Sequence, residues 1–134
     1  MSDYRRLRIG YNEMTMKDSV FDITETRVEG DEMIYRIWLN AGHPVYQAHF
    51  PSHPITPGAI LVQICVDLVR KCTETDIRLK NVRNVKFLKP HNPEETPNLT
   101  VRFKVPTRPE GELELMDVII GNETSIIARM TLGF

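Results

Sequence analysis

Ala48-His49-Phe50-Pro51-Ser52-His53-Pro54-Ile55-Thr56-Pro57-Gly58-Ala59-Ile60-Leu61-Val62-Gln63 is the stretch around which the rest of the chain can be ordered. Each proline fixes its own φ and biases the preceding residue toward extended backbone. A segment holding Pro44, Pro51, Pro54 and Pro57 therefore has little entropy left to lose when it fixes a side chain in place. Such stiffness suits a positioned acid or base, and His49 ionises near neutral pH. Beyond Pro57 the prolines stop and apolar residues take over, which predicts a helix from Pro57 or Gly58 to Thr73.

That helix is apolar on nearly every side. Between Ala59 and Val69 only Gln63 and Asp67 are polar, so the segment is expected to be buried on most faces. Four residues apart, the two share one face and can touch. A carboxylate left unpaired there costs several kcal/mol of desolvation or takes up a proton. A polar group is therefore expected to face this stripe, with His49 the leading candidate.

Upstream, Ser19 to Val28 and the alternating Asp31 to Asn40 (Met33, Tyr35, Ile37, Leu39) flank Glu29-Gly30-Asp31, which predicts a β-hairpin. Downstream, Lys80 to Leu88 reads as an alternating strand with apolar Val82, Val85 and Phe87. Pro90 to Pro97 is a polar loop, Leu99 to Val105 alternates strictly, and Glu112 to Ile120 and Ser125 to Gly133 are two further strands joined at Gly121-Asn122-Glu123. Two strands, one helix and four strands give an α+β layer architecture with the helix against one face of an antiparallel sheet.

At 134 residues the chain is sized for one domain, expected over 18–134 behind an N-terminal arm of residues 1–17. Lys plus Arg number 17 against 18 Asp plus Glu, so bulk charge does not point to nucleic acid; Arg5, Arg6 and Arg8 read as a solvated arm. No apolar run approaches the ~20 residues of a membrane span, and a cytoplasmic protein is expected. Cys65 and Cys72 would stand about 10 Å apart along a helix, beyond the reach of a disulfide, and are expected as free thiols. His43, His49 and His53 lack metal-ligand spacing, and neither a metal nor another cofactor is expected.

With these elements laid out, the chain resembles the hot-dog-fold β-hydroxyacyl-acyl carrier protein dehydratases. The family's His-Phe-Pro-x-x-Pro-x-x-Pro-Gly stretch stands here as His49 through Gly58. Weaker similarity extends to Pro44-Val45-Tyr46-Gln47, to Lys86-Phe87-Leu88-Lys89-Pro90 and to Ile127-Ala128-Arg129-Met130, covering 18–134 in all. The resemblance implies a six-stranded antiparallel sheet wrapped round a central helix and a homodimer paired edge to edge. It implies an active site at the dimer interface, working on 3-hydroxyacyl thioesters linked to acyl carrier protein.

The resemblance also implies residue roles. His49 would take the C2 proton, and the Gly58 amide, at a helix N-terminus, would polarise the thioester carbonyl. Phe50, Pro57, Ile60, Leu61 and Ile64 would contact substrate, while Arg83, Lys86 and Lys89 would meet the carrier protein. The family's catalytic acid falls on Gln63, which cannot ionise. The acid and amide are exchanged within the pair relative to the family, so Asp67 is expected to carry the carboxyl function and Gln63 to orient substrate or water. Two other functions fit the same pattern. One is a catalytically impaired hot-dog subunit that binds acyl carrier protein or an acyl chain beside an active partner. The other is a thioesterase.

Overall fold

The structure is a computed structural model of the chain, in which residues 19–46, 54–74, 77–107 and 115–134 are described. Among the described residues, six strands and one long helix follow the expected order: β1 (Phe21–Glu29), β2 (Glu32–Leu39), α1 (Gly58–Thr73), β3 (Asn81–Phe87), β4 (Asn98–Lys104), β5 (Leu115–Gly121) and β6 (Ile126–Gly133). A short 3-10 turn, Pro44–Tyr46, lies between β2 and the helix.

All strands belong to one sheet in the order β1-β2-β4-β5-β6-β3, and every neighbouring pair is antiparallel. The chain thus runs from β2 through the helix to the opposite edge of the sheet, leaving β1 and β3 as its two borders. Gly30 turns the first hairpin with φ 62, a backbone conformation that glycine adopts without steric cost. At the β5–β6 turn the side-chain carbonyl of Asn122 accepts the amides of Thr124 at 2.9 Å and Ser125 at 2.8 Å.

Strict alternation puts Tyr35, Ile37 and Leu39 of β2 on the same face as Leu99, Val101 and Phe103 of β4, and all six are buried. Met116, Val118 and Ile120 of β5 with Met130 and Leu132 of β6 extend that face. Leu61, Ile64, Cys65, Leu68 and Val69 of α1 complete one continuous apolar cluster with them. Each fully buried aliphatic side chain contributes roughly 1.5–3 kcal/mol, which is what holds this apolar helix to the sheet.

β3 departs from the expected alternation. A bulge between Arg83 and Lys86, with Asn84 at φ 50, inserts an extra residue. It lets Val82 and Phe87, five apart in sequence, both point to the inner face opposite Leu132 and Ala128. Neither is core: Val82, Phe87 and Leu88 are all exposed, while Val85 packs partly against the core. Trp38, on the outer face of β2, is likewise partly exposed rather than core.

Among the described residues, no helix is long and apolar enough to cross a membrane. Cys65 and Cys72 are free thiols, the first buried and the second half-buried.

Candidate active site

The N-terminus of α1 begins straight from the proline run. Pro57 stands at the cap position in extended conformation and offers no side-chain hydrogen bond to the first turn. Its carbonyl accepts from the amides of Ile60 at 3.0 Å and Leu61 at 3.2 Å. The amides of Gly58 and Ala59 come before these and have no intrahelical acceptor, as the first turn of any helix dictates. They present a donor pair with the positive end of the helix dipole behind it.

Gly58 is held there by packing. A Cβ at this position would lie 2.6 Å from the ring of Phe87, so only glycine lets that ring rest against the start of the helix. Phe87 is 52% exposed while making this contact, and so supplies an apolar wall beside the free amides that is open on its far side.

Further along the helix, Gln63 and Asp67 meet as the i, i+4 spacing requires. Gln63 Nε2 donates to Asp67 Oδ1 at 2.9 Å. The two environments differ sharply: Gln63 is exposed and Asp67 is buried. Burial, and then the nearby charge of Asp67, push the Cys65 thiol well above its ordinary value, so Cys65 is no thiolate nucleophile.

Leu61 and Ile64 are fully enclosed in the core, whereas Ile60 and Pro57 are only partly covered. His49, Phe50 and His53 lie outside the described residues. Arg83 and Lys86 are exposed on the outer face of β3, where Lys86 stands in register with Arg129 of β6. Lys89 donates from Nζ to Ser125 Oγ at 2.9 Å.

One polar cluster escapes the sequence pattern altogether. Tyr46 Oη lies 2.8 Å from Thr56 Oγ1, and Thr56 Oγ1 lies 2.8 Å from His91 Nδ1. His91 Nε2 is 2.7 Å from the carbonyl oxygen of Thr96, and the Thr56 amide donates to the His91 carbonyl at 2.9 Å. Burial pushes the His91 imidazole below its usual range, with the Thr96 carbonyl partly offsetting it. Burial also raises the Tyr46 phenol, which keeps it a hydroxyl donor.

A depression of about 510 Å³ lies on the outer face of the sheet, away from the helix, and includes Arg27, Arg36, Arg102 and Ile119 in its lining. Its arginines face glutamates: Arg27 with Glu25 and Glu29, Arg36 with Glu25 and Glu123, Arg102 with Glu32. The charges cancel locally and leave no net cationic site for an anion.

The chain is similar to known proteins in sequence and in fold. Two 3-hydroxyacyl-[acyl-carrier-protein] dehydratases named FabZ are similar in sequence. The one from Wolbachia (strain wRi) is 33% identical over 60 residues, 40% of this chain and 42% of that protein. The one from Geobacter metallireducens is 31% identical over 72 residues, 47% of this chain and 48% of that protein. The matches thus span about half the length of these curated relatives.

Among solved structures, the dehydratase heterocomplex ApeI:P from Xenorhabdus doucetiae matches with a TM-score of 0.67 at 14% identity. That match covers 83% of this chain and 94% of the other. A candidate thioesterase from Shewanella oneidensis matches with a TM-score of 0.57 at 12% identity, over 97% of this chain and 93% of the other. These likenesses establish the hot-dog fold. The profile of the ApeI-like family, described as ApeI dehydratase, matches residues 25–117, taking in β2, α1, β3 and β4 whole. On that span, more than half of its length, this chain belongs to the ApeI-like dehydratase family.

Proposed function

We propose that the chain is a hydro-lyase that removes water from 3-hydroxyacyl thioesters carried by an acyl carrier protein, in fatty acid or related polyketide or polyene synthesis. The observation that carries this is the polar side of α1, where N-terminal amides without an intrahelical acceptor lead, about one and a half turns on, to an amide–carboxylate pair on an apolar helix. Family membership and the kinship with FabZ dehydratases support it.

In this mechanism His49 takes the C2 proton of the substrate. The Gly58 amide donates to the thioester oxygen as enolate charge builds there, an electrostatic stabilisation of the kind that dominates such steps. The C2–C3 double bond forms as the C3 hydroxyl leaves as water, protonated by the Asp67 carboxyl. Gln63, hydrogen-bonded to that carboxyl and reaching solvent, orients the departing hydroxyl. Phe50, Pro57, Ile60, Leu61 and Ile64 are the residues that contact the acyl chain. No metal or other cofactor enters the scheme.

The acting unit is a homodimer of 18–134 domains behind a 1–17 arm, joined along β3. The two borders of the sheet differ in a way that favours this. On β1 the exposed Val28 stands between the charges of Glu25, Arg27 and Glu29, with Arg27 bridging both acids, whereas β3 exposes Val82 and Phe87 and the residue after it, Leu88, is exposed too. Arg83, Lys86 and Lys89 then line one rim of the assembly, where an acidic carrier protein can dock. A reducing cytoplasm goes with the free thiols.

The second possibility is a non-catalytic subunit paired with an active homologue, as the ApeI:P complex is a heterocomplex. The exposed Gln63 at the usual acid position and the buried Asp67 favour it. Incubating the purified chain with a crotonyl thioester separates the two. The enzyme consumes enoyl absorbance without releasing thiol, a thioesterase releases thiol, and an inactive subunit does neither until its partner is added.

A further inference from the structure

The hydrogen bonds joining Tyr46, Thr56, His91 and Thr96 have only one consistent direction. The Thr96 carbonyl can only accept, so His91 Nε2 carries the proton and Nδ1 is left as the acceptor. Thr56 must then donate its hydroxyl proton to Nδ1, and Tyr46 in turn donates to Thr56 Oγ1. Tyr46, Thr56 and His91 are 2%, 4% and 2% exposed, too little for water to replace a lost partner. Breaking one link therefore leaves a buried polar group unpaired.

Tyr46 and Thr56 flank His49 in sequence, and Thr56 lies two residues before Gly58. The bond between their hydroxyls ties together the two ends of the segment that carries the histidine. His91 grips Thr56 twice, through the hydroxyl at 2.8 Å and through the backbone amide at 2.9 Å. The residue that the β3–β4 connection holds thus stands two positions before the oxyanion donor of the proposed reaction and closes the segment in which its base lies in sequence.

We propose that Thr56 and His91 are positioning residues, which hold the Gly58 end of α1 and close the segment carrying His49 at its two ends through the Tyr46–Thr56–His91 chain. The catalytic part of this proposal rests on the dehydratase function given above. Misplacement of a reacting group by about 1 Å can cost on the order of 100-fold in rate, so the chain need move little to matter.

The test compares Thr56→Val, Thr56→Ser and Tyr46→Phe in the 134-residue chain, by crotonyl thioester hydration and by hydrogen–deuterium exchange. Thr56→Val should lower kcat by about 10- to 100-fold with KM within about threefold, and Thr56→Ser should restore it. Exchange in peptides spanning 47–55 should accelerate in Thr56→Val and slow again in Thr56→Ser, while peptides from β5 and β6 stay unchanged. Tyr46→Phe should act in the same direction but more weakly, and it serves if Thr56→Val does not fold. A kcat within about twofold of the parent, a loss carried in KM alone, or unaltered exchange over 47–55 each overturns the proposal. If the parent chain is itself inactive on thioesters, the dehydratase function falls, and the exchange result alone decides whether the chain anchors the segment.

Discussion

Gln63 donates its side-chain amide to Asp67 across 2.9 Å, coupling an exposed residue to a carboxylate that is only 2% exposed. In a helix this apolar, the pair amounts to a polar channel one turn long. The inner end can hold or release a proton, and the outer end can hydrogen-bond in either direction but cannot ionise.

If Asp67 is the acid, removing its proton while keeping its shape should stop the chemistry and spare the fold. Asp67→Asn retains an oxygen for Gln63 to donate to, so the thermal midpoint should change little. General acid–base contributions of ~100-fold to ~10,000-fold set the expected fall in kcat for crotonyl thioester hydration. Turnover equal to that of the parent would eliminate Asp67 from the mechanism.

The legibility of this pair in the sequence, and the illegibility of its surroundings, have one physical cause. A helix repeats every 3.6 residues, so Gln63 and Asp67 had to share a face wherever the helix lay. The same holds for Leu99, Val101 and Phe103, whose two-residue period put all three in the core. The bulge at Asn84 breaks that period by one residue, so the spacing of Val82, Val85 and Phe87 could not reveal that Phe87 reaches Gly58. The Tyr46–Thr56–His91 chain joins loops separated by 10 and 35 positions, where no periodicity exists to announce a contact. Thr56 occupies a variable slot of the proline motif and His91 an ordinary polar loop, so neither carried a signal.

Gly58 offers a second, independent test, because its lack of a side chain is enforced by one named neighbour. In Gly58→Ala the new methyl would meet the Phe87 ring at 2.6 Å. Overpacking of this kind typically costs about 1–3 kcal/mol. Since the ring is half-exposed, truncating it should relieve the clash: Phe87→Ala combined with Gly58→Ala should recover at least about 0.5 kcal/mol relative to additivity. Urea denaturation of the four chains closes this cycle, and strictly additive losses would show that the ring does not press on the helix start.

The contrast between the sheet borders predicts how copies associate. The protein should sediment at twice its 15.5 kDa mass at micromolar concentration. Val82→Lys places a charge on the exposed inner face of β3 and, across a two-fold axis, opposite its own copy. That variant should shift toward 15.5 kDa, whereas Val28→Lys on β1 should leave the mass of the assembly unchanged. The reverse pattern would move the interface to β1.

Stability should depend on pH through His91, with a sign fixed by its burial. Burial holds its folded pKa below the ordinary histidine value of 6.5, while the unfolded chain titrates near that value. Well above pH 6.5 the imidazole is neutral in both states and contributes no slope. Below it, the unfolded chain takes up a proton that the folded chain refuses, so stability falls as pH drops toward the lower folded value. Protonation would also put a hydrogen on Nδ1 facing the Thr56 hydroxyl and force the Tyr46–Thr56 bond to reorganise. Urea midpoints between pH 8 and 5 should therefore decline below pH 6.5. Over the same range the His91 ring proton should titrate by NMR at a lower pH than a histidine in the unfolded chain. A His91 resonance that titrates at 6.5 or above would mean that the ring is not held neutral between Thr56 and Thr96.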